Sequence, residues 1–343
     1  MCFLFENDQT SNLNQFFEEI APVNEDQESI LDLSKLFKFE SDIQKRLIGQ
    51  EEAIRSVSSA IKRSIVGLNI KKKPIGSFIF CGPTGVGKTE MAKTLAKNLY
   101  EKPEALVRFD MSEYMDKISI SKMIGTAPGY VGYDREGILT ERMRENPKCV
   151  LLFDEIEKSD RQIMDLFLQV LDEGYLRDSK DNFISFMESI IILTSNIGAS
   201  FIFDFMKNKI SLNESDKNYM NNNIMKELLD RFRPEFINRL DQVVIFQPLV
   251  LSVIEKILKK QLEERKELLE NNLNINLVIT NNAFHFLLNK GFNLSFGARQ
   301  VARSLEQYFE TPLIDFIAKT RGVSNIMKNI KVEADIRSLI FTI

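Results

Sequence analysis

The sequence predicts an α/β fold in which a parallel five-stranded sheet, covered on both faces by helices, precedes a smaller C-terminal α+β domain. Two observations carry this. Five short apolar runs, at 77–81, 106–109, 149–153, 190–194 and 243–246, alternate with longer helical stretches, and strands buried on both faces of a parallel sheet read as continuous apolar runs. Beyond residue 248 the pattern changes to charged helices around a few alternating segments. At 343 residues the chain has room for two domains.

Taken in order, residues 1–40 are acidic, rich in Asn and Gln and without periodicity, which predicts a poorly ordered or weakly helical lead-in. A helical pattern starts at Ser41. A second helix over 50–66 places Ala53, Ile54, Val57, Ile61 and Ile65 on one face. Lys71-Lys72-Lys73-Pro74 marks a loop, and the five apolar runs follow until Pro248 closes the first domain, 41–248. The second domain, 249–343, begins with a long charged helix over 251–271. It continues with a strand at 274–280, helices over 282–289 and 297–318, and one or two strands after 326.

Composition narrows the function. Against 49 acidic residues stand 45 Lys and Arg, a net charge of −4, so no strongly basic face speaks for a nucleic-acid partner. No apolar run approaches the roughly 20 residues of a membrane-spanning helix, and no membrane partner is expected. The start of the chain turns acidic, unlike a transit or signal peptide. Cys2, Cys81 and Cys149 have neither metal-ligand nor disulfide spacing, which suits a reducing compartment. The abundance of Asn, Ile, Lys and Phe and the absence of Trp reflect A/T-rich coding. A plastid or apicoplast stroma is the expected location, with the cytoplasm as the alternative. His285, on an apolar helix without a spaced partner, reads as a packed or partly exposed side chain.

The chemistry concentrates at two places. Gly82-Pro83-Thr84-Gly85-Val86-Gly87-Lys88-Thr89 fits the pattern G-x-x-x-x-G-K-[ST], between the run at 77–81 and a helix over 88–99. Glycines let the backbone curl so that its N–H groups face phosphate oxygens, and the helix N-terminus adds partial positive charge. Lys88 is expected to neutralise the β- and γ-phosphates of ATP, and the Thr89 hydroxyl to hold Mg²⁺. The second place is the end of the run at 149–153, which delivers Asp154 and Glu155. Asp154 is expected to hold Mg²⁺, leaving Glu155 to deprotonate the attacking water.

Further blocks give these residues a family resemblance. They are Leu47-Ile48-Gly49-Gln50, Phe109-Asp110-Met111-Ser112-Glu113-Tyr114, Gly129-Tyr130-Val131-Gly132-Tyr133, Phe153-Asp154-Glu155-Ile156-Glu157-Lys158, Thr194-Ser195-Asn196, the stretch from Phe232 through Arg233 and Arg239 to Asp241, and Gly297-Ala298-Arg299. Together, in this order, they resemble the AAA+ ATPases and among them the Clp heat-shock unfoldases. The resemblance is to the second ATPase ring, with the ClpC type as the expectation.

The resemblance implies a P-loop NTPase with a C-terminal lid domain, ATP and Mg²⁺ as cofactors, and a homo- or hetero-hexamer with Clp ATPase subunits. It implies that Asn196 is a first sensor of the γ-phosphate, that Arg239 is an arginine finger acting on a neighbouring subunit, and that Arg299 is a second sensor in the lid. Ile48 would pack near adenine. Tyr130 and Val131 would grip unfolded polypeptide in the pore.

The expected function is therefore an ATP-dependent unfoldase that threads polypeptides, as the regulatory subunit of a Clp protease. The alternatives are a stand-alone chaperone or disaggregase, and a non-catalytic half-subunit completing a split ring. The pattern departs at Ser211 and Leu212, where relatives that dock on the ClpP peptidase carry Gly and Phe, and at Asp181-Asn182, where Gly-Arg is usual.

Overall fold

The computed structural model describes residues 33–67, 73–116, 119–126, 136–206, 213–293, 295–320 and 328–343. Residues 38–343 form one compact unit, and the described residues begin with helix α1 (Leu33–Arg46). The expected lead-in therefore lies almost wholly outside the described residues.

In this unit α2 (Glu51–Ile65) precedes the sheet and buries Ala53, Ile54, Val57 and Ile61 of the stripe that its spacing predicts, together with Ala60, while Ile65 is half-buried. The sheet strands are β1 (Gly76–Cys81), β2 (Leu106–Asp110), β3 (Val150–Asp154), β6 (Ile190–Ser195) and β7 (Gln242–Ile245). They lie in the order β2-β3-β6-β1-β7 and every pair is parallel. All six residues of β1 and all six of β6 are buried, as continuous apolar runs in a two-sided sheet require. Edge strand β2 buries only Phe109, whose ring stacks on Phe153 of β3 with centroids 5.1 Å apart.

Between the strands run α3 (Lys88–Tyr100), α4 (Ser119–Ile124), α5 (Ile138–Glu145), α6 (Arg161–Glu173), α7 (Ala199–Met206), α8 (Glu214–Arg231) and α9 (Pro234–Arg239). A hairpin of β4 (Tyr175–Arg177) and β5 (Phe183–Ser185) joins α6 to β6; the sequence pattern does not reveal it. Asp178 closes its turn, accepting the Lys180 and Asn182 N–H groups at 2.8 Å each. Asp181 stands at φ 63°, a left-handed conformation that a residue with a side chain adopts at a cost.

The C-terminal part contains α10 (Leu251–Leu273), α11 (Asn281–Gly291), α12 (Ala298–Leu305), α13 (Thr311–Thr320) and a sheet of β8 (Ile275–Ile279), β9 (Lys328–Ala334) and β10 (Leu339–Thr342). Strand β9 pairs parallel with β8 and antiparallel with β10. The expected single helix over 297–318 is interrupted by a π-helical turn, Glu306–Glu310. Pro312 supplies the reason: it lacks an N–H, and its ring crowds the carbonyl four residues back, so the ladder must widen there.

Parallel order decides where chemistry can occur. β3, β6 and β1 are neighbours, so the segments leaving their carboxyl ends meet in one crevice, the usual ligand edge of such sheets.

Candidate active site

The loop leaving β1 turns on Gly82, Gly85 and Gly87, with φ of 135°, 74° and 111°. These are conformations that side-chain-bearing residues avoid. Space forbids side chains as well: a Cβ on Gly82 would lie 2.7 Å from the Phe246 carbonyl oxygen, and one on Gly85 only 2.1 Å from that of Phe296. The loop ends at the N-terminus of α3, with Lys88 as its first residue and Thr89, half-buried, as its second.

Lys88 is 8% exposed and its ammonium donates to Gly82 O (2.5 Å), Ser195 O (2.7 Å) and Asn196 Oδ1 (2.9 Å). Burial lowers its pKa from 10.5 to about 8, and the charges of Glu157 and Asp154 work against that fall. The neighbouring Cys81 thiol is pushed up to about 12 by burial, so it is a neutral apolar group at physiological pH.

At the end of β3, Asp154 Oδ2 accepts Arg108 Nη2 at 2.6 Å, and Oδ1 accepts the Thr194 hydroxyl. The same hydroxyl accepts the Glu155 N–H at 3.2 Å. Glu155 sits at φ 59°, a left-handed conformation that costs a non-glycine residue about 1–2 kcal/mol and is found where surrounding structure enforces it. Its Oε1 accepts the Asn196 amide at 3.2 Å and its Oε2 pairs with Lys158. Asn196 thus joins Glu155 to Lys88. The structure brings together the Lys88, Asp154, Glu155 and Asn196 that the sequence singled out, from the ends of three adjacent strands.

Other predicted residues lie around this centre. Arg299 is the second residue of α12, beside the loop: Ala298 N–H donates to Gly85 O at 2.9 Å, and the Arg299 charge is among the influences that lower the Lys88 pKa. Thr84 Oγ1 donates to Ser295 O at 3.2 Å, a second bond from loop to C-terminal part. Ile48 is half-buried just ahead of α2. Arg239 pairs with Asp172 on α6 at 2.6 Å and Arg233 with Asp165 at 3.2 Å, so neither arginine is tied to Asp154 or Glu155 of its own chain. Tyr130 and Val131, like Ser211 and Leu212, lie outside the described residues. His285 is exposed with its ring edge-on to Phe284.

Sequence reasoning missed Gln50, Thr194, Glu157 and Lys158 as members of the site. Gln50, 2% exposed, donates to Val86 O at 3.2 Å and Gln247 O at 2.9 Å, and accepts Gln247 N–H at 3.0 Å. It clamps the loop to the segment after β7. Its place beside Ile48 in Leu47-Ile48-Gly49-Gln50 was the available signal.

The residues fit a magnesium nucleotide. The glycine cradle, the α3 N-terminus and the buried Lys88 suit phosphate. The Thr89 hydroxyl and the Asp154 carboxylate are hard oxygen donors of the kind Mg²⁺ takes alongside phosphate oxygens. Among the described residues there is no group of three or more His, Cys, Asp or Glu that could hold a metal ion.

Known proteins place this site in context. The family described as "AAA domain (Cdc48 subfamily)" matches residues 73–243, and "C-terminal, D2-small domain, of ClpB protein" matches residues 249–332. The chain is 44% identical over 303 residues to the chaperone protein ClpB of Clostridium tetani, covering 88% of this chain and 34% of that one. To chaperone protein ClpB 1 of Nostoc sp. it is 40% identical over 321 residues, 94% of this chain and 35% of the relative. The chain therefore spans about a third of the length of these relatives. Its structure is similar, with a TM-score of 0.80 and 33% identity, to a chain in a closed-state cryo-EM reconstruction of Hsp104 with ATPγS and FITC casein, covering 92% of this chain and 53% of that one. These names support the Clp family that the sequence resembles; the relatives are ClpB chaperones and the C-terminal part matches a ClpB domain, and neither match supports the finer ClpC type.

Proposed function

The chain belongs to the Clp/Hsp100 family of AAA+ ATPases, and from that premise we propose that it hydrolyses ATP to drive polypeptides through the pore of a hexamer, as a chaperone of the disaggregase type. The observation that carries the hydrolytic part is the meeting of Lys88, Asp154, Glu155 and Asn196 in one hydrogen-bonded set. With Mg²⁺ and ATP bound, Lys88 would face the β- and γ-phosphates, and Thr89 and Asp154 would hold the cation. Glu155 takes a proton from the attacking water, and Asn196 keeps the carboxylate and the water aligned. Bound Mg²⁺ supplies neutralisation of the phosphate charge. Arg299 reports nucleotide state to the C-terminal part, and Ile48 lies toward the base.

Arg239 acts on the site of a neighbouring subunit. In its own chain it pairs with Asp172 at 2.6 Å, a pair it would leave to reach that site. Tyr130 and Val131 grip the polypeptide.

The chaperone reading is preferred over a protease subunit because the similar proteins are named chaperones and the docking positions carry Ser211 and Leu212. Steady-state ATP turnover tests the assignment. Glu155→Gln keeps an acceptor for Asn196 but removes the base, so turnover should fall by roughly 100-fold or more while ATP still binds. Unchanged turnover would sink the assignment of Glu155 as the base, whereas a parent chain that turns over no ATP would leave the reading of a non-catalytic ring subunit. Co-precipitation with ClpP should give no complex, and a stoichiometric one would restore the protease reading.

A further inference from the structure

Asn196 is the junction of the site, and its own position has a cause. The Glu157 carboxylate accepts the Asn196 backbone N–H through Oε1 at 3.0 Å. On that same backbone depend the Asn196 amide bonds to Glu155 (3.2 Å) and Lys88 (2.9 Å). The Glu157 carbonyl in turn accepts Arg231 Nη2 at 2.5 Å. Arg231 is the last residue of α8, and the chain passes from it through Phe232 and Arg233 directly into α9, which ends at Arg239.

Resting on the ATPase reading above, we propose that Glu157 is a positioning residue for hydrolysis. It fixes Asn196 so that Glu155 is aligned, and it links that alignment, through Arg231, to the segment carrying Arg239.

Structural economy does not explain a glutamate here. Its Oε2 is buried and accepts no hydrogen bond among the described residues, and a buried acceptor without a partner is destabilising. A neutral side chain with one acceptor would hold Asn196 N–H at lower cost. The charge does favour the nearby Lys88 ammonium. Placement also gives the arrangement a use: α9, which follows α8, carries the arginine that serves the next subunit, so a shift there reaches Asn196 through two side chains, Arg231 and Glu157. Misplacement of a reacting group by about 1 Å can cost on the order of 100-fold in rate, which makes so short a link effective.

Steady-state ATP turnover of the full chain, with Glu155→Gln as reference, tests the proposal. Glu157→Ala should lower kcat on the order of 10- to 100-fold and leave KM within about threefold, because a positioning loss falls on the transition state. Glu157→Gln, whose amide oxygen can still accept Asn196 N–H, should recover most of kcat; a role in folding alone would show as reduced thermal stability with kcat and KM moving together. Arg231→Ala should lower kcat to a lesser degree, and the Glu157→Ala/Arg231→Ala double variant should be no worse than Glu157→Ala, since the two act in series.

Turnover by Glu157→Ala within about twofold of the parent, while Glu155→Gln is inactive, would overturn the role of Glu157 alone. Additive losses in the double variant would overturn the link to Arg231. Full turnover by Glu155→Gln would instead mean that Glu155 is not the base, and no turnover by the parent would mean that the ATPase reading itself has failed.

Discussion

Lys88 carries the sharpest consequence of burial at the level of single residues. Its ammonium, buried among three acceptors, titrates near pH 8 in the folded chain against 10.5 when unfolded. Below pH 8 both states hold the proton and the folded state bears the cost of a buried charge. Between 8 and 10.5 the unfolded chain binds more protons, so Lys88 makes stability rise with pH across that window, by about 3 kcal/mol at most. Activity runs the other way, because the charged form faces phosphate: kcat/KM for ATP should fall as pH passes through about 8. A pH series of thermal denaturation on the parent and Lys88→Met checks the stability half; the rise attributable to this residue should vanish in the variant. The phosphate loop and the Asp154-Glu155 pair were legible in sequence because each lies within a few consecutive residues. Gln50 was not, because its partner Gln247 lies 197 residues away, and nothing local shows which polar side chain a distant carbonyl will select. Thr194 and Glu157 were hidden for the same reason, with partners about 40 positions off.

Elements of the sheet were legible wherever burial on both faces wrote a continuous apolar run, and β1 and β6 are the clearest cases. Hairpin β4–β5 was not, because three-residue strands are too short to show a period. The π-helical turn escaped because amphipathic spacing survives it, although Pro312 was in view. The contact between the phosphate loop and the start of α12 is the element-level feature with most bearing on function. Gly297 has φ 51°, and a Cβ there would lie 2.7 Å from Gly85 O and 3.3 Å from Thr84 O. Gly297→Ala must therefore displace either the loop or the C-terminal part. The expected cost is about 1–3 kcal/mol of stability, with kcat/KM for ATP down by roughly tenfold. Thermal denaturation and steady-state kinetics on one preparation check both, and wild-type kinetics in a destabilised variant would show that this contact does not couple lid to loop.

As a whole molecule, the chain presents a nucleotide site assembled at one edge of a parallel sheet, with Arg239 engaged elsewhere by Asp172 and so free to serve a neighbour only by leaving that pair. The ATPase centre rests on geometry within this chain, whereas polypeptide as cargo rests on the family and on Tyr130 and Val131. One measurement joins the two halves: the loss of fluorescence of a folded reporter protein with an unstructured tail, followed with the assembled chain and ATP. The account predicts loss that requires ATP, stops in Glu155→Gln and falls at least tenfold in Tyr130→Ala while ATP turnover continues. Steady ATP hydrolysis with the reporter left folded, or equal unfolding by the parent and Glu155→Gln, would contradict it.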